Sequence, residues 1–234
     1  MWQLLVLGTC AYASEQAEVF GWTGGGIDRL RFFKERLGFE ANSIVDVGAH
    51  VGNWTREARQ VFPSARFLMI EANALHRPEL QRVGVPFEIA LLTAQGNQSL
   101  RFHSTRYMDP RLSETLLIRS RTLDDVVKPY FPACCDLIKA DVQGAELELL
   151  LGGLRSLQRA QLVLLEAPVL PYNEGAPRFS DLIAFMASKG FEVVDVADAT
   201  YAEGVSRVLH LDLLFAPRHS RLLRLPLPGG IRPA

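Results

Sequence analysis

Short apolar runs of strand length alternate with segments of helical periodicity along most of the chain. The segments between the runs carry apolar residues at spacings of three and four, as one face of a helix does. Repeated strand and helix units predict an α/β fold with a mostly parallel sheet and helices on both faces. The predicted strands lie at residues 43–47, 66–70, 87–91, 136–140, 161–165, 191–196 and 208–215.

Two of the predicted helices have recognisable ends. The first begins near Ile27, keeps an apolar face as far as Leu37, and is ended by Gly38. The later one has Ser180 as a favourable N-cap and is followed by Gly190. The first helix precedes the first strand, so it leads into the sheet.

Residues 92–135 interrupt the simple alternation. The stretch is too long for an ordinary connection, and its apolar positions predict an insertion with its own hairpin and a short helix. A polar loop is expected through Asp109 and Pro110, between the two strands of the hairpin.

The chain divides into three parts on these patterns. Residues 1–39 form an N-terminal lead with a helix, residues 40–216 form the main domain, and residues 217–234 form a basic, proline-rich tail. Residues 1–13 have a short apolar stretch with an end like that of a secretory signal, but they lack the usual positive start. We therefore expect an N-terminal element that packs on the domain, with a cleaved signal as the alternative.

Composition and charge narrow the classes of partner. The 234 residues carry 25 Lys and Arg against 26 Asp and Glu, a net charge of -1, so no global positive field attracts nucleic acid or an anionic membrane. No apolar run reaches the ~18 residues of a membrane span. The three cysteines, Cys10, Cys134 and Cys135, have neither disulfide-framework nor zinc spacing. A cytoplasmic protein with a small-molecule partner is expected.

The loop after the first predicted strand is the main candidate for ligand binding. In an open α/β sheet, ligands bind beyond the carboxyl ends of the strands, and Asp46, Gly48 and Gly52 form a DxGxxxG pattern there. Glu71 ends the next strand, where its two oxygens can accept hydrogen bonds from ribose hydroxyls. A dinucleotide fingerprint requires a bare glycine where this chain has His50, which favours a ligand without a diphosphate, such as S-adenosylmethionine.

The chain resembles the FkbM family of S-adenosylmethionine-dependent methyltransferases over residues 40–216. Residues 137–146 are the most specific part of the resemblance, although Gln143 stands where many relatives carry Glu. The resemblance implies a class I methyltransferase Rossmann-like fold, with a seven-stranded sheet whose last strand is antiparallel. It also implies S-adenosylmethionine as cofactor and O-methylation of a sugar or secondary metabolite. The matching segments are residues 44–54, 121–125, 137–146 and 212–215.

The cofactor is expected to contact the first loop and the two strands that follow it. The residues predicted to bind it are Asp46, Gly48, Ala49, His50, Gly52, Asn53, Glu71 and Ala90.

Three further residues are candidates for catalysis. Methyl transfer to a hydroxyl requires alignment of donor and acceptor and a group that takes the proton. Asp141 ends a strand beside the cofactor loop, where it either takes that proton, positions the acceptor, or caps the next helix. Lys139 is expected to pair with Asp141 or Glu146, and Glu166 ends the next strand. Two carboxylates are too few to predict a metal site.

The sequence therefore predicts an S-adenosylmethionine-dependent O-methyltransferase. Two alternatives remain at this level: an NAD-dependent oxidoreductase of similar fold, and an inactive binding module that keeps the methyltransferase fold. The acceptor is set by loops rather than by the motif, and neither it nor the oligomeric state follows from the sequence.

Overall fold

The computed structural model places most of the chain between the first helix and the basic tail. The possible signal segment at residues 1–13, together with Cys10, Cys134 and residues 225–234, lies outside the described part. The described residues are 25–106, 109–133, 135–170, 176–202 and 207–224.

Helices and strands follow one another largely as the apolar pattern predicts. The helices are α1 Gly25–Leu37, α2 Asn53–Val61, α3 Arg77–Val83, α4 Leu123–Val127, α5 Glu146–Leu151, α6 Leu154–Arg159 and α7 Phe179–Ser188, with 3-10 turns at Ala74–His76 and Arg221–Arg224. The strands are β1 Ser43–Val47, β2 Arg66–Glu71, β3 Phe87–Ile89, β4 Ser99–Arg106, β5 Asp109–Arg119, β6 Leu137–Ala140, β7 Leu162–Pro168, β8 Phe191–Ala202 and β9 Arg207–Pro217.

Seven of these strands form one sheet, in the order β3-β2-β1-β6-β7-β9-β8. The pairs among β3, β2, β1, β6 and β7 are parallel, whereas β9 runs antiparallel to both β7 and β8. The predicted seven-stranded sheet with an antiparallel last strand is thus confirmed. The winding direction reverses at β1 and β6, which places a ligand-binding crevice at their carboxyl ends.

Helices cover both faces of the sheet because alternate strand residues point to opposite sides. Ile44 and Leu137 pack in the cluster that contains α1 and α2, while Val45 and Ile138 pack in the cluster that contains α4, α5, α6 and α7. Leu30 of α1 is fully buried, as its predicted apolar face requires. Burial from both sides makes the central strands almost wholly apolar, and any charged residue in them needs a partner.

The insertion contains the predicted hairpin and short helix, but its loop is misplaced. Strands β4 and β5 pair antiparallel as a separate two-stranded sheet, and α4 follows. Asp109 begins β5 and pairs with Arg106, so the segment predicted as a polar loop through Asp109 and Pro110 is the start of a strand. Polar composition alone does not distinguish a loop from a strand of a solvent-facing hairpin.

The predicted cap of α7 is also wrong. The helix begins at Phe179 with Arg178 as its N-cap residue, and Ser180 lies inside the first turn. The carboxylate of Asp181 accepts a hydrogen bond from the backbone N–H of Arg178 at 3.1 Å. The carboxylate at the third helical position thus accepts a hydrogen bond from the backbone at the start of the helix, where the prediction expected the side chain of Ser180.

Candidate active site

The loop after β1 is held tightly between the neighbouring strands. Gly48 has a φ of 72°, and a Cβ there would lie 1.7 Å from the carbonyl oxygen of Asp141. The backbone N–H groups of Gly48 and Ala49 both donate to the carbonyl oxygen of Ile70, at 2.9 and 3.1 Å. Only glycine fits at position 48, since any side chain would push β1 and β6 apart.

The far end of the same loop packs against α3. Gly52 has a φ of 81°, and a Cβ there would lie 2.6 Å from the side chain of Val83 and 3.2 Å from Met69 Sδ. Helix α2 starts at the next residue, Asn53, whose side chain accepts a hydrogen bond from Arg56 at 2.8 Å. Both glycines of the motif therefore serve close backbone packing.

Glu71 fixes the loop from the end of β2. One carboxylate oxygen accepts the backbone N–H of His50 at 2.7 Å, and the other accepts the N–H of Asn73 at 2.8 Å. The His50 backbone is left-handed, and its ring meets the ring of His76 edge to face at 4.4 Å. Burial lowers the pKa of His76, so that ring is neutral at pH 7.

A buried ion pair lies beneath the loop. Lys139 Nζ is 3.3 Å from Asp46 Oδ1 and 3.3 Å from Asp141 Oδ2, and it donates to the carbonyl of Gly48. Thr55 Oγ1 donates to the second oxygen of Asp46 at 2.7 Å. Burial alone would lower the pKa of Lys139, but the two carboxylates outweigh it and raise that pKa. Lys139 is therefore a cation that ties β1 to the end of β6.

The predicted partner Glu146 does not pair with Lys139. Its carboxylate instead accepts the backbone N–H groups of Gly144 and Val142, at 2.9 and 3.3 Å, and so closes the turn before α5. The predicted pairing of Lys139 with Asp141 or Glu146 is thus confirmed for Asp141, because turn amides occupy the carboxylate of Glu146.

Four acidic residues form a row across the carboxyl end of the sheet. Glu166 of β7 is paired in register with Asp212 of β9, which is paired in turn with Asp198 of β8. Asp141 directly follows β6, beside Glu166. Side chains in register on neighbouring strands share one face, so like charges meet here.

Burial and repulsion give the acids of this row different protonation states. Burial, followed by the charge of Asp141, raises the pKa of Glu166 to about 9, and the same two causes raise that of Asp212 to about 6. Burial would also raise the pKa of Asp141, but Lys139 and a hydrogen bond from Gln143 lower it overall. At neutral pH Asp141 is ionised while Glu166 keeps its proton.

Gln143 and His210 complete the surroundings of this carboxyl pair. Gln143 Nε2 donates to Asp141 Oδ1 at 2.9 Å and to Glu166 Oε2 at 3.0 Å, from a left-handed backbone with a φ of 54°. His210 Nδ1 lies 3.0 Å from Glu166 Oε1, and burial lowers the pKa of His210. In the sequence, His210 is an ordinary residue of its predicted strand, and no pattern marks it as part of a site.

A cavity of about 480 Å³ opens between the loop, the ends of β2 and β3 and the turn after β6. Its volume is in the range of small-molecule sites. Apolar side chains make up most of the wall, and a few polar groups converge on it. The lining residues are Val47, Gly48, His50, Ile70, Glu71, Ala72, Ala90, Leu91, Leu92, Phe102, Asp141, Val142, Gln143, Ala145 and Leu149.

The structure brings part of the predicted site to this cavity. Gly48, His50, Glu71, Ala90 and Asp141 line it. The other predicted residues lie outside the cavity lining, and all of them except the exposed Asn53 are buried. Those that are not part of the lining are Asp46, Ala49, Gly52, Asn53, Lys139 and Glu166.

Ten of the fifteen lining residues were not predicted as site residues, and Phe102 and Gln143 are two of them. Phe102 comes from the β4–β5 hairpin, which the pattern identified as an insertion without indicating what it covers. Gln143 was noted only as a departure from the acid of many relatives. Gly144, which follows it directly, is the sequence signal that could have marked a tight turn at this position.

No group of three or more His, Cys, Asp or Glu side chains in the described ranges is arranged to hold a metal ion. Among the same residues, no helix combines the length and apolar character needed to cross a membrane.

Comparison with known proteins gives one family match and many fold matches. A family model described as the methyltransferase FkbM domain matches residues 46–193. No curated protein shows significant similarity to the chain. The fold matches below are all under 25% identical, so they show the fold alone.

Three solved structures illustrate these fold matches. Methyltransferase FkbM from Methylobacillus flagellatus is 17% identical, with a TM-score of 0.49 over 79% of this chain and 47% of that one, so the chain spans about half of its length. Fibrillarin from Aeropyrum pernix, solved with natively bound S-adenosyl-L-methionine, is 14% identical, with a TM-score of 0.50 over 80% and 71% of the two chains. The N-terminal domain of EvdMO1 with SAH bound is 14% identical, with a TM-score of 0.49 over 84% and 82%.

Proposed function

Because the chain belongs to the methyltransferase FkbM domain family, we propose that it transfers a methyl group from S-adenosylmethionine, its cofactor, to a hydroxyl of a carbohydrate or secondary metabolite. The proposed catalytic domain is residues 40–216, with the insertion at residues 92–135. The observation that carries the hydroxyl assignment is the ionised carboxylate of Asp141 in the cavity wall, next to a buried cation and a neutral acid.

The cavity suits this cofactor. Glu71 presents a carboxylate at the end of β2, where each oxygen has one backbone donor and a second lone pair for a ribose hydroxyl. Apolar residues on the β3 side, among them Leu92 and Phe102, provide a surface for an adenine ring. The bare backbone of Gly48 lets a ligand come close to the loop.

Asp141 is the proposed acceptor of the hydroxyl proton. S-adenosylmethionine supplies an electrophilic methyl group whose sulfonium is a good leaving group, so the protein's own work is alignment and proton removal. Asp141 is held from two sides, by Lys139 at 3.3 Å and by Gln143 at 2.9 Å. A carboxylate fixed in this way can orient a hydroxyl and take its proton as the new bond forms.

Lys139 and Glu166 act through Asp141 in this proposal. Neither lines the cavity, and both contact the groups that do. Lys139 keeps Asp141 ionised, and Glu166, which keeps its proton at pH 7, adds no second negative charge before the cofactor binds. We therefore reassign both from catalytic to positioning residues.

The two alternatives from the sequence meet different obstacles. His50, with its left-handed backbone, lines the cavity where a dinucleotide site requires a bare glycine. An inactive binding module would keep the cavity but would not depend on an ionised Asp141. Substitution of Asp141 therefore distinguishes the enzyme from the module.

The test combines cofactor binding with a product search. S-adenosylhomocysteine binding is measured by calorimetry, and hydroxylated sugars and metabolites are screened with S-adenosylmethionine for products heavier by one CH2. Asp141→Asn should bind S-adenosylhomocysteine within about threefold of wild type and lose at least ~100-fold in transfer rate. Asp125→Asn, which removes an exposed carboxylate that does not line the cavity, is the matched control.

Two results would overturn the proposal. If Asp141→Asn transfers methyl groups at the wild-type rate, Asp141 does not take the proton. If methylated products appear only on nitrogen, sulfur or carbon, the acceptor class is wrong although the cofactor assignment stands.

A further inference from the structure

The side chain of Gln143 occupies a position that the proposed mechanism does not explain. It is exposed in the turn after β6, lines the cavity, and uses its one amide nitrogen to contact two carboxyl groups. The left-handed backbone at a residue with a side chain costs about 1 kcal/mol or more, so the surrounding turn must hold it there.

The two carboxyl groups that Gln143 contacts come from different strands. Asp141 follows β6 and is partly exposed to the cavity, while Glu166 in β7 is 5% exposed. A buried carboxyl beside an ionised one is best satisfied by sharing a proton with it, and an amide that donates to both fixes the distance between them. The ionised cation Lys139 holds the opposite side of Asp141.

We propose that Gln143 is a positioning residue that clamps Asp141 and Glu166 into a pair carrying a single proton, and that this pair gives up the proton when a cationic ligand enters the cavity. This inference rests on the proposed role of Asp141 as the residue that takes the acceptor's proton. The pair would then present its full negative charge only when the positively charged methyl donor is bound.

Other titratable groups around Asp141 and Glu166 favour the protonated form of this pair before a ligand binds. Four of the five are acids or a histidine whose pKa is lowered by burial. The titratable side chains around the pair are Lys139, Glu146, Asp198, His210 and Asp212. Burial and the charge of Asp141 raise the pKa of Glu166 to about 9, so a nearby positive charge has a bound proton to displace.

The methyl donor and its product differ in the charge on sulfur. S-adenosylmethionine carries a sulfonium cation, whereas S-adenosylhomocysteine is neutral at sulfur and otherwise similar. A ligand that adds a positive charge near a shared proton lowers the affinity of the pair for that proton. Binding of S-adenosylmethionine should therefore release a proton that binding of S-adenosylhomocysteine does not.

The experiment is calorimetric titration in two buffers of different ionisation enthalpy, which together give the number of protons exchanged. At about pH 8, wild-type protein should release about half a proton or more with S-adenosylmethionine, and clearly less with S-adenosylhomocysteine. Glu166→Gln removes the titrating group and should lower the release by the same half proton. Subtracting the proton count of this variant from that of wild type also removes any proton that the ligand itself exchanges.

Variants of Gln143 test the clamp itself. Gln143→Met keeps the length of the side chain but removes the donor, so Glu166 holds its proton more firmly and the release should fall. Gln143→Glu removes the same donor and adds a like charge, which raises the pKa of Glu166, so the release should fall here too. Asp125→Asn should release the wild-type number of protons, and every proton count is taken at saturating ligand. A purely structural role of Gln143 predicts no change in proton count in either variant.

Equal proton release in wild type and Glu166→Gln would overturn the shared proton, and unchanged release in both Gln143 variants would overturn the clamp. Isotope-edited infrared spectra of the wild type provide a test that needs no variant: a protonated glutamate band should weaken when S-adenosylmethionine is added. These measurements use no acceptor. A failure to find a methylated hydroxyl would therefore contradict the proposed function and leave the proton count as an independent result.

Discussion

The two sides of the cavity are built in different ways. On the β1–β2 side, most contacts involve backbone groups. Gly48 approaches β6 without a side chain, and the carboxylate of Glu71 accepts the N–H groups of His50 and Asn73. On the β6–β7 side, the contacts are between side chains, with Asp141 held by Lys139 and Gln143.

This difference matters for function because the two kinds of site respond differently to change. A site built mainly from backbone groups responds little to nearby charge, and it fails when the chain cannot adopt the required conformation. A site of coupled carboxyl groups changes its charge with pH and with every charged ligand. We therefore expect the β1–β2 side to be sensitive to volume and the β6–β7 side to be sensitive to charge.

The largest expected effect is on the backbone side. Gly48→Ala would place a methyl group 1.7 Å from the carbonyl oxygen of Asp141, so the strands must separate. We expect a loss of about 4 kcal/mol or more in the free energy of unfolding, together with loss of S-adenosylhomocysteine binding. Denaturant unfolding and calorimetry measure the two effects.

Gly84→Ala is the matched control for that variant. Gly84 also has a positive φ, of 76°, but a Cβ there would meet nothing within 4 Å. It should cost only the ~1 kcal/mol of the left-handed backbone and leave ligand binding unchanged. Similar losses in the two variants would show that strain, and not close packing at the cavity, explains Gly48.

The next largest effect concerns the buried ion pair that joins the two sides of the cavity. Lys139→Met leaves the fully buried carboxylate of Asp46 without its cation and should cost about 3 to 4 kcal/mol in stability. Adding Asp46→Asn to this variant removes the uncompensated charge and should restore part of the loss. If the double variant is as unstable as the sum of the single ones, the pair is not coupled.

The sequence predicted the backbone side better than the side-chain side, and the reason is physical. Gly48, Gly52 and Glu71 lie within one strand–loop–helix–strand unit, where local spacing determines geometry. The contacts of Glu166 with Gln143 and His210 join residues 23 and 44 positions apart in sequence, and their distance depends on how β9 inserts between β7 and β8. A single sequence contains no signal for that packing.

The pH dependence of stability tests the charged side. The pKa of Glu166 is about 9 in the folded protein, above its ordinary value of 4.5, so its contribution to stability is complete below about pH 4.5 and is lost as the pH rises toward 9. Relative to Glu166→Gln, which does not titrate, wild type should therefore lose on the order of 3 kcal/mol between about pH 6.5 and pH 9. Unfolding of both proteins across this range measures the difference. Parallel stability curves would mean that Glu166 is ionised throughout.

The smallest effect concerns the hairpin, which reaches the cavity from outside the main sheet. Phe102 of β4 lines the cavity, so Phe102→Ala should weaken S-adenosylhomocysteine binding about tenfold through loss of apolar contact. Leu117 pairs with the neighbouring Arg101 and is 73% exposed, so Leu117→Ala in the same hairpin should leave binding unchanged. Because neither variant alters charge, the tenfold difference should be the same at about pH 6 and about pH 8, as expected for a wall that acts by volume. A difference that grows or shrinks with pH would show that the hairpin also acts on the carboxyl groups of Asp141 and Glu166.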